Sequence, residues 1–146
     1  MRLKKFTDYA LRALIYTGSK GEGEMASIKE IADSFDISIE HIRKVVHQLN
    51  KLELITTVRG RNGGIMLAVP ADQINVGNVV RIMENDFVLL ECFDKDANQC
   101  VITPSCKLKH ALNKALKAFF DVLNEYTLED LLSNKDRLKQ LMDLDR

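Results

Sequence analysis

The chain has 146 residues, of which 46% are hydrophobic and 29% are charged, and its formal net charge is zero. This length and composition predict one compact domain, or a small domain with an appendage, and supply enough apolar residues for a core. Charged residues interrupt the N-terminal segment and no apolar run approaches about 18 residues, so the sequence argues against a signal peptide or membrane helix and predicts a cytoplasmic protein.

The first third of the chain predicts three helices. Apolar side chains recur at helical spacing over residues 3–17, and three glycines follow by residue 23. The sequence Ser-Ile-Lys-Glu at 27–30 is a capping-box pattern and predicts the start of a short second helix. Ser38 is a good N-cap for a third helix, because apolar residues recur from Ile39 to Leu52 at helical spacing. Two short helices joined by so few residues are typical of a helix-turn-helix.

The polar face of the third helix favours contact with DNA. Its side chains are spaced so that several could reach phosphates or base edges in one major groove. They are His41, Arg43, Lys44, His47, Gln48 and Lys51. The alternative is a solvated helix surface, which is the commoner explanation of an isolated charged face. Residues 1–66 hold 11 Lys and Arg against 8 Asp and Glu, and residues 67–146 hold 10 against 13, an asymmetry that agrees with DNA binding without deciding it.

A hairpin predicted after the third helix strengthens the case for DNA binding. The β-prone runs 54–58 and 65–69 are joined by Arg-Gly-Arg-Asn-Gly-Gly. Glycine permits the turn and a close approach to a duplex, while Arg59 and Arg61 supply charge suited to a narrow minor groove. A phosphate-binding loop is the rival interpretation, but no Gly-Lys-Ser or Gly-Lys-Thr follows. A helix-turn-helix followed by such a hairpin is a winged helix, so we expect binding to double-stranded DNA.

All three cysteines, Cys92, Cys100 and Cys106, lie in one polar stretch that follows a helix predicted to be capped by Asn75. Their polar neighbours argue against burial alone, and an odd number of thiols without a sign of export argues against disulfides. Three thiolates suit iron–sulfur clusters or zinc, and gaps of seven and five residues suit a cluster better than the close Cys-x2-Cys pairs of structural zinc sites. The sequence therefore favours an iron–sulfur cluster with a fourth ligand from elsewhere, and leaves zinc and reduced thiols open.

The remaining sequence predicts a dimerisation helix and a C-terminal helical region. An apolar stripe at helical spacing runs from residue 108 to about 126 and could pack within one subunit or pair with its copy. Pairing is favoured, because it would give a homodimer able to read a palindromic operator. Thr-Leu-Glu-Asp at 127–130 is a second capping-box pattern, before a leucine-rich region that would clasp the partner or the winged domain. We thus expect a mainly α fold with a small β-hairpin: a winged helix-turn-helix DNA-binding domain at 1–74, and a cluster-binding loop and dimerisation helices at 75–146.

These motifs together resemble the winged-helix iron–sulfur regulators that include NsrR and IscR, and they are most similar to the NsrR-like nitric-oxide-sensing repressors. The resemblance covers nearly the whole chain. Its carriers are 6–12 (Phe-Thr-Asp-Tyr-Ala-Leu-Arg), 59–65 (Arg-Gly-Arg-Asn-Gly-Gly-Ile), 75–81 (Asn-Val-Gly-Asn-Val-Val-Arg), 91–94 (Glu-Cys-Phe-Asp) and 100–110 (Cys-Val-Ile-Thr-Pro-Ser-Cys-Lys-Leu-Lys-His).

The resemblance implies a homodimer with one cluster in each subunit, held by Cys92, Cys100 and Cys106. It implies a 4Fe-4S cluster, with a 2Fe-2S cluster as the alternative, and release of operator DNA when nitric oxide attacks the cluster or the cluster is lost. In NsrR-like proteins the fourth ligand can be a carboxylate from the partner's first helix, which matches Asp8. IscR-like members use a histidine shortly after the third cysteine, but His110 lies one residue beyond that spacing, so the resemblance favours Asp8.

Two other functions compete with nitric-oxide sensing. A regulator of the same family could respond to iron or to cluster supply, because the same thiolate loop can lose a cluster by several routes. A redox enzyme or electron carrier could also use a cluster, but the sequence has no second cofactor motif and few residues left for a substrate pocket. The sequence therefore predicts that the protein is not an enzyme.

Overall fold

A computed structural model describes residues 1–144, which form seven α-helices and one two-stranded sheet. The helices are α1 (Lys5–Ser19), α2 (Ile28–Phe35), α3 (Ile39–Lys51), α4 (Val76–Glu84), α5 (Lys107–Leu123), α6 (Leu128–Leu131) and α7 (Lys135–Leu141), and the strands are β1 (Ile55–Val58) and β2 (Gly64–Leu67). None of the helices in this part of the chain combines the length and apolar character that a membrane span requires. The architecture confirms the predicted mainly α fold with a small hairpin.

Local capping explains where four of the helices begin. The Ser27 hydroxyl accepts the Glu30 N–H at 3.1 Å, and the Glu30 carboxylate accepts the Ser27 N–H at 2.6 Å, so the predicted capping box of α2 is present. The same reciprocal pair joins Thr127 and Asp130 at α6. The side chains of the N-caps Ser38 and Asn75 accept backbone N–H groups in the first turns of α3 and α4. Each cap satisfies amide donors that a helix start leaves unpaired.

The main core forms where α1 packs against α3 and the C-terminal helices, and where α2 packs against α3. Its fully buried members from the N-terminal part include Ala10, Leu14, Ile31, Ile42, Val45 and Leu49. Ile74, Val79, Leu128 and Met142 also belong to this core. The C-terminal helices α6 and α7 contact α1, so the predicted clasp lies on the winged part of the same protomer. The predicted boundary at residue 74 between the DNA-binding domain and the C-terminal part stays a prediction, because side chains from both sides of it share this core.

The hairpin has a tip that only glycine permits at two positions. Strands β1 and β2 are antiparallel, with Ile55 opposite Leu67 and Val58 opposite Gly64. Gly60 has φ +108°, a left-handed conformation that side chains disfavour. A Cβ on Gly63 would lie 2.0 Å from the carbonyl oxygen of Val58, so the turn could not close. The two glycines therefore fix the shape of the wing.

Helix α5 leaves most of its predicted apolar stripe uncovered within the protomer. Leu108 is 60% exposed and Val122 is 54% exposed. The buried residue of the helix is Phe120, which was not part of the predicted stripe; it forms a small second core with Val76 and Val80. Phe120 is buried because α4 and the segment around Phe87 pack against the side of α5 that carries it, next to the predicted stripe. The ring centroids of Phe87 and Phe120 are 4.6 Å apart. The stripe is thus available to another chain.

The capping box of α2 predicts a pH-dependent contribution to stability. Partial burial alone would raise the pKa of Glu30, but hydrogen bonds from Lys20 and Ser27 outweigh burial and hold the pKa below its usual value. A carboxyl group with a lowered folded-state pKa stabilises the protein above its unfolded pKa of about 4.3, and this contribution is lost as the pH falls through the folded pKa. Glu30→Gln should lower the free energy of unfolding by up to about 1 kcal/mol at neutral pH.

Denaturant unfolding of wild type and Glu30→Gln at several pH values measures this contribution. The difference between the two proteins should shrink as the pH falls below about 4. Glu125→Gln, at an exposed position after α5, is the matched control and should show no such trend. A difference of equal size at pH 3 and pH 7 would contradict the assignment to the ionised carboxylate.

Candidate DNA-binding surface and cysteine loop

Helix α3 presents one face to the core and the opposite face to solvent. Ile42, Val45, Val46 and Leu49 are buried against neighbouring elements that include α1 and α2. The six predicted DNA-contacting side chains lie away from that face; all are exposed except Gln48, which is partly buried. His41 also touches α1, where its ring lies 5.9 Å from that of Tyr9. The structure thus gathers the predicted polar side chains on one accessible surface.

The wing lies beside this helix and adds two cations. Arg59 and Arg61 are both exposed in the tip between β1 and β2. A cleft of about 500 Å³ separates the hairpin from α2 and α3, with Lys29 and Arg43 among its lining residues. Within residues 1–144, neither wing arginine takes part in an ion pair. Their charges are therefore available to phosphates or to a groove.

The predicted set of six omits an acidic residue on the same surface. Glu40 lies in the first turn of α3, is exposed, and forms an ion pair with Arg43. Its position opposite the buried residues of the helix could have been found from helical spacing alone. Positive charge is the usual sign of a DNA-binding face, so charge alone does not mark Glu40 as part of this surface.

The three cysteines lie in an irregular connection from α4 to α5. Short 3-10 turns occur at Glu91–Phe93 and Thr103–Ser105. Cys92, in the first turn, is only 9% exposed, so the expectation that polar surroundings argue against burial is wrong for this thiol. The apolar neighbours Leu90 and Phe93 could have indicated its burial. Cys100 and Cys106 are partly exposed, and all three thiols are free. Cys106 is also the N-cap of α5, where its Sγ accepts the Lys109 N–H at 3.4 Å.

The donor chemistry of this loop fits an iron–sulfur cluster, although the ligands are not gathered in advance. Three free thiols on one segment are the ligands that such clusters use, and the amide donor to Cys106 is the kind of hydrogen bond that tunes cluster sulfur ligands. Among residues 1–144, however, no three Cys, His, Asp or Glu side chains lie close enough to hold a metal ion. Binding would require the loop to draw its thiols together.

The two candidates for a fourth ligand lie in different surroundings. Asp8, in the first turn of α1, is partly exposed, and Arg12 holds both of its carboxylate oxygens, with Nε–Oδ1 2.9 Å and Nη2–Oδ2 2.8 Å. The Arg12 guanidinium also lies 5.6 Å from the ring centroid of Phe35 in α2. His110 is exposed near the start of α5, four residues after Cys106. Within the described protomer, neither side chain joins the cysteines in a ready metal site.

A buried carboxylate that the sequence did not reveal connects α1 with α4, the helix before the cysteine loop. Glu84, the last residue of α4, is 5% exposed. Its Oε1 accepts the Lys4 N–H at 2.6 Å and the Thr7 hydroxyl at 2.7 Å. Lys4 has no side-chain cap of its own, so Glu84 caps the start of α1 from a distant part of the chain. The helix that carries Asp8 is thereby fixed to the helix that leads into the cysteine loop.

Comparison with known proteins finds relatives along the full chain. A family profile described as "Rrf2: Iron-dependent Transcriptional regulator" matches residues 3–134. The HTH-type transcriptional regulator NsrR of Oceanobacillus iheyensis is 63% identical over 146 residues, covering 100% of this chain and 99% of that protein. The regulator of the same name from Bacillus subtilis is 47% identical and 97% of each chain is covered. The relatives are named as transcriptional regulators, which confirms the prediction that the chain is not an enzyme.

Solved structures give the same result for the fold. The oxidized form of Staphylococcus aureus CymR matches with a TM-score of 0.75 and 26% identity, covering 91% of this chain and 97% of that chain. T. potens IscR matches with a TM-score of 0.73 and 25% identity, covering 92% and 88% respectively. These likenesses agree with the predicted fold class and with the resemblance to NsrR-like regulators.

Proposed function

The chain belongs to the Rrf2 family of transcriptional regulators, and we propose that it is a DNA-binding repressor that senses nitric oxide through an iron–sulfur cluster. The observation that carries this proposal is the placement of three free thiols on the loop that follows α4, the helix bonded through Glu84 to the start of α1. Because α1 also packs against α3, a change at the loop has a short path to the DNA-binding face.

DNA binding is assigned to residues 1–74. The exposed face of α3 would enter a major groove, and the two wing arginines would neutralise phosphates or enter the adjacent minor groove. These separate roles for α3 and the wing are supported by the exposure of both and by the cleft between them. Phosphate contacts would supply most of the affinity and make it salt-dependent, while contacts from α3 to base edges would supply sequence preference.

Cluster binding and dimerisation are assigned to residues 75–146. Cys92, Cys100 and Cys106 would hold a cluster that we take to be 4Fe-4S, with 2Fe-2S as the alternative. When bound, the cluster supplies iron that reacts with nitric oxide. The family description favours iron over zinc, because it names iron-dependent regulators. The thiols Cys100 and Cys106 are partly exposed, so small molecules could reach this part of the loop.

A homodimer is supported by the uncovered stripe of α5. Exposed apolar side chains on a helix of 17 residues are costly in water, and pairing with a second copy would bury them. A two-fold dimer would present two α3 helices to a palindromic operator, with half-sites about 34 Å apart or a multiple of that distance. In this arrangement we propose that Asp8 of the partner subunit supplies the fourth ligand.

The signal is proposed to act through Asp8 and α1. Arg12 holds both oxygens of Asp8, so a carboxylate that ligated iron would lose at least one of these two contacts, and ligation would compete with the Asp8–Arg12 pair. Loss of ligation would let Arg12 recapture Asp8 and reposition α1 with the α3 helix that packs on it. Reversing a 99:1 population needs about 5.5 kcal/mol, which lost ligation in two subunits could supply and a surface adjustment could not.

A second candidate function is sensing of iron or of cluster supply. The description of the matching family as iron-dependent favours it, since that wording names iron rather than nitric oxide. Both functions use the same residues, and they differ in which chemical event removes DNA binding.

The wing is tested by Arg61→Ala. The variant should bind operator DNA more weakly by roughly 1–3 kcal/mol, because a groove-inserted guanidinium is lost, while its iron content stays that of the wild type. Arg137→Ala, at an exposed position of α7, is the matched control and should bind normally. Equal affinity of Arg61→Ala and wild type across a salt series would remove the wing from the mechanism.

The ligand set is tested by iron and sulfide counts and absorption spectra of anaerobically purified variants. Cys92→Ala, Cys100→Ala and Cys106→Ala should each abolish stable cluster binding, because two remaining thiolates hold a cluster weakly. Asp8→Ala should retain a more labile cluster with an altered spectrum, and Ser105→Ala in the same loop is the control. If Asp8→Ala leaves the spectrum unchanged and His110→Ala alters it, the fourth-ligand assignment is wrong.

The sensing role is tested on a palindromic operator selected from random-sequence DNA. Cluster-loaded protein should bind it at least about ten-fold more tightly than cluster-free protein or protein exposed to nitric oxide, at one salt concentration. The DNA affinity of Cys106→Ala should not change on exposure to nitric oxide. If an iron chelator weakens binding and nitric oxide does not, the second candidate function replaces the first. Equally tight binding by cluster-free protein would exclude both.

A further inference from the structure

The outward row of α3 contains one residue of the wrong charge for a DNA-binding surface. Side chains at positions 40, 44, 47 and 51 follow the three- and four-residue spacing of one helix face, opposite the buried residues of α3. Three of them are Lys44, His47 and Lys51, and the fourth is Glu40. Glu40 lies in the first turn, which is the part of a recognition helix that meets base edges. A carboxylate there faces a polyanion.

Local stability does not explain this carboxylate well. Glu30 and Asp130, the acidic third residues of α2 and α6, complete capping boxes. In α3 that third position is His41, whose N–H donates to Ser38, so Glu40 takes no part in the cap. A charge at a helix start and an exposed ion pair each contribute little to stability. An acidic residue on a part of the helix surface away from the DNA could contribute as much to stability.

The ion pair of Glu40 with Arg43 suggests a role for the Glu40 carboxylate in base recognition. Arg43 forms an ion pair with the Glu40 carboxylate and lines the cleft beside the wing. The pair therefore presents an acceptor and a donor side by side at the start of α3. In the major groove, a C·G base pair presents the cytosine N4 amino donor beside the guanine O6 and N7 acceptors. The two patterns are complementary.

We propose that Glu40 and Arg43 together read a C·G base pair in each half-site of the operator, with Glu40 accepting from cytosine N4 and Arg43 donating to guanine. This inference rests on the proposed DNA-binding function and adds a base preference to it. Guanine and thymine at the position of the cytosine would place O6 or O4 acceptors against the carboxylate and be rejected. The negative charge that weakens binding to every phosphate backbone thus contributes selectivity.

Selection from a random-sequence DNA library, followed by affinity measurements on single-base variants of the selected site, tests the proposal. Cluster-loaded wild type, Glu40→Gln, Glu40→Ala and Arg43→Ala are compared. The matched control is Glu125→Gln, which makes the same charge change at an exposed position outside α3. Affinity for unrelated duplex DNA is measured in parallel, and thermal unfolding reports whether each variant is folded.

Wild type should select a palindrome with C·G at one position of each half-site. Glu40→Gln should shift that position towards adenine, because glutamine pairs with adenine N6 and N7. Glu40→Ala should lose about ten-fold or more of the discrimination there, while its affinity for unrelated DNA stays equal or rises with the lost negative charge. Arg43→Ala should lose preference at the same position.

Two results would overturn the proposal in different ways. If wild type selects a palindrome and the Glu40 variants select the same one with unchanged discrimination, Glu40 has no part in base recognition and the proposed repressor function stands. If wild type selects no sequence at all, the proposed DNA-binding function fails and the inference fails with it.

Discussion

The hydrogen bonds of the Glu84 carboxylate fix the start of α1 to the end of α4, the two elements that the proposed signal would connect. A buried carboxylate is costly unless it is hydrogen-bonded, and Glu84 meets that requirement through the Lys4 N–H and the Thr7 hydroxyl. Lys4 reinforces the joint by donating to the Glu84 carbonyl and pairing with Asp86. The start of α1 and the end of α4 therefore have one relative position. Helix α3 and the cysteine loop share that frame, because α1 packs on α3 and α4 leads into the loop.

Elements fixed by neighbouring residues could be predicted from the sequence, and those fixed by distant residues could not. The caps at Ser27, Ser38, Asn75 and Thr127 act within three residues, so each predicted helix start was confirmed. The Glu84 joint links residues 77 and 80 positions apart, and no local pattern marks it. The burial of Phe120 likewise depends on which elements meet. Local sequence patterns thus predicted the helices and strands, whereas tertiary packing determined these long-range contacts.

The candidate cluster site divides in the same way between chemistry and geometry. Three thiols in one loop, an unusual donor set, could be recognised from residue types and spacing. Their arrangement could not, because short 3-10 turns and irregular backbone leave each thiol's position to its own surroundings. Metal ligands are commonly brought into place by the metal itself, so binding and local folding are coupled. The separated thiols of the described chain are consistent with a loop of that kind.

Two bonds at the start of α1 differ in how much they resist change, and the difference indicates how a signal could move the helix. The Asp8–Arg12 pair is partly exposed, so exchanging it for another partner of Asp8 costs about 1 kcal/mol or less. The Glu84 joint is buried, and breaking it would leave a carboxylate without donors at a cost of several kcal/mol. An event at Asp8 would therefore rearrange the exposed pair and leave the joint intact. Helix α1 would move with α4 as one body, so in the proposed dimer the spacing of the two α3 helices would change by rotation of the protomers, without unfolding of α1.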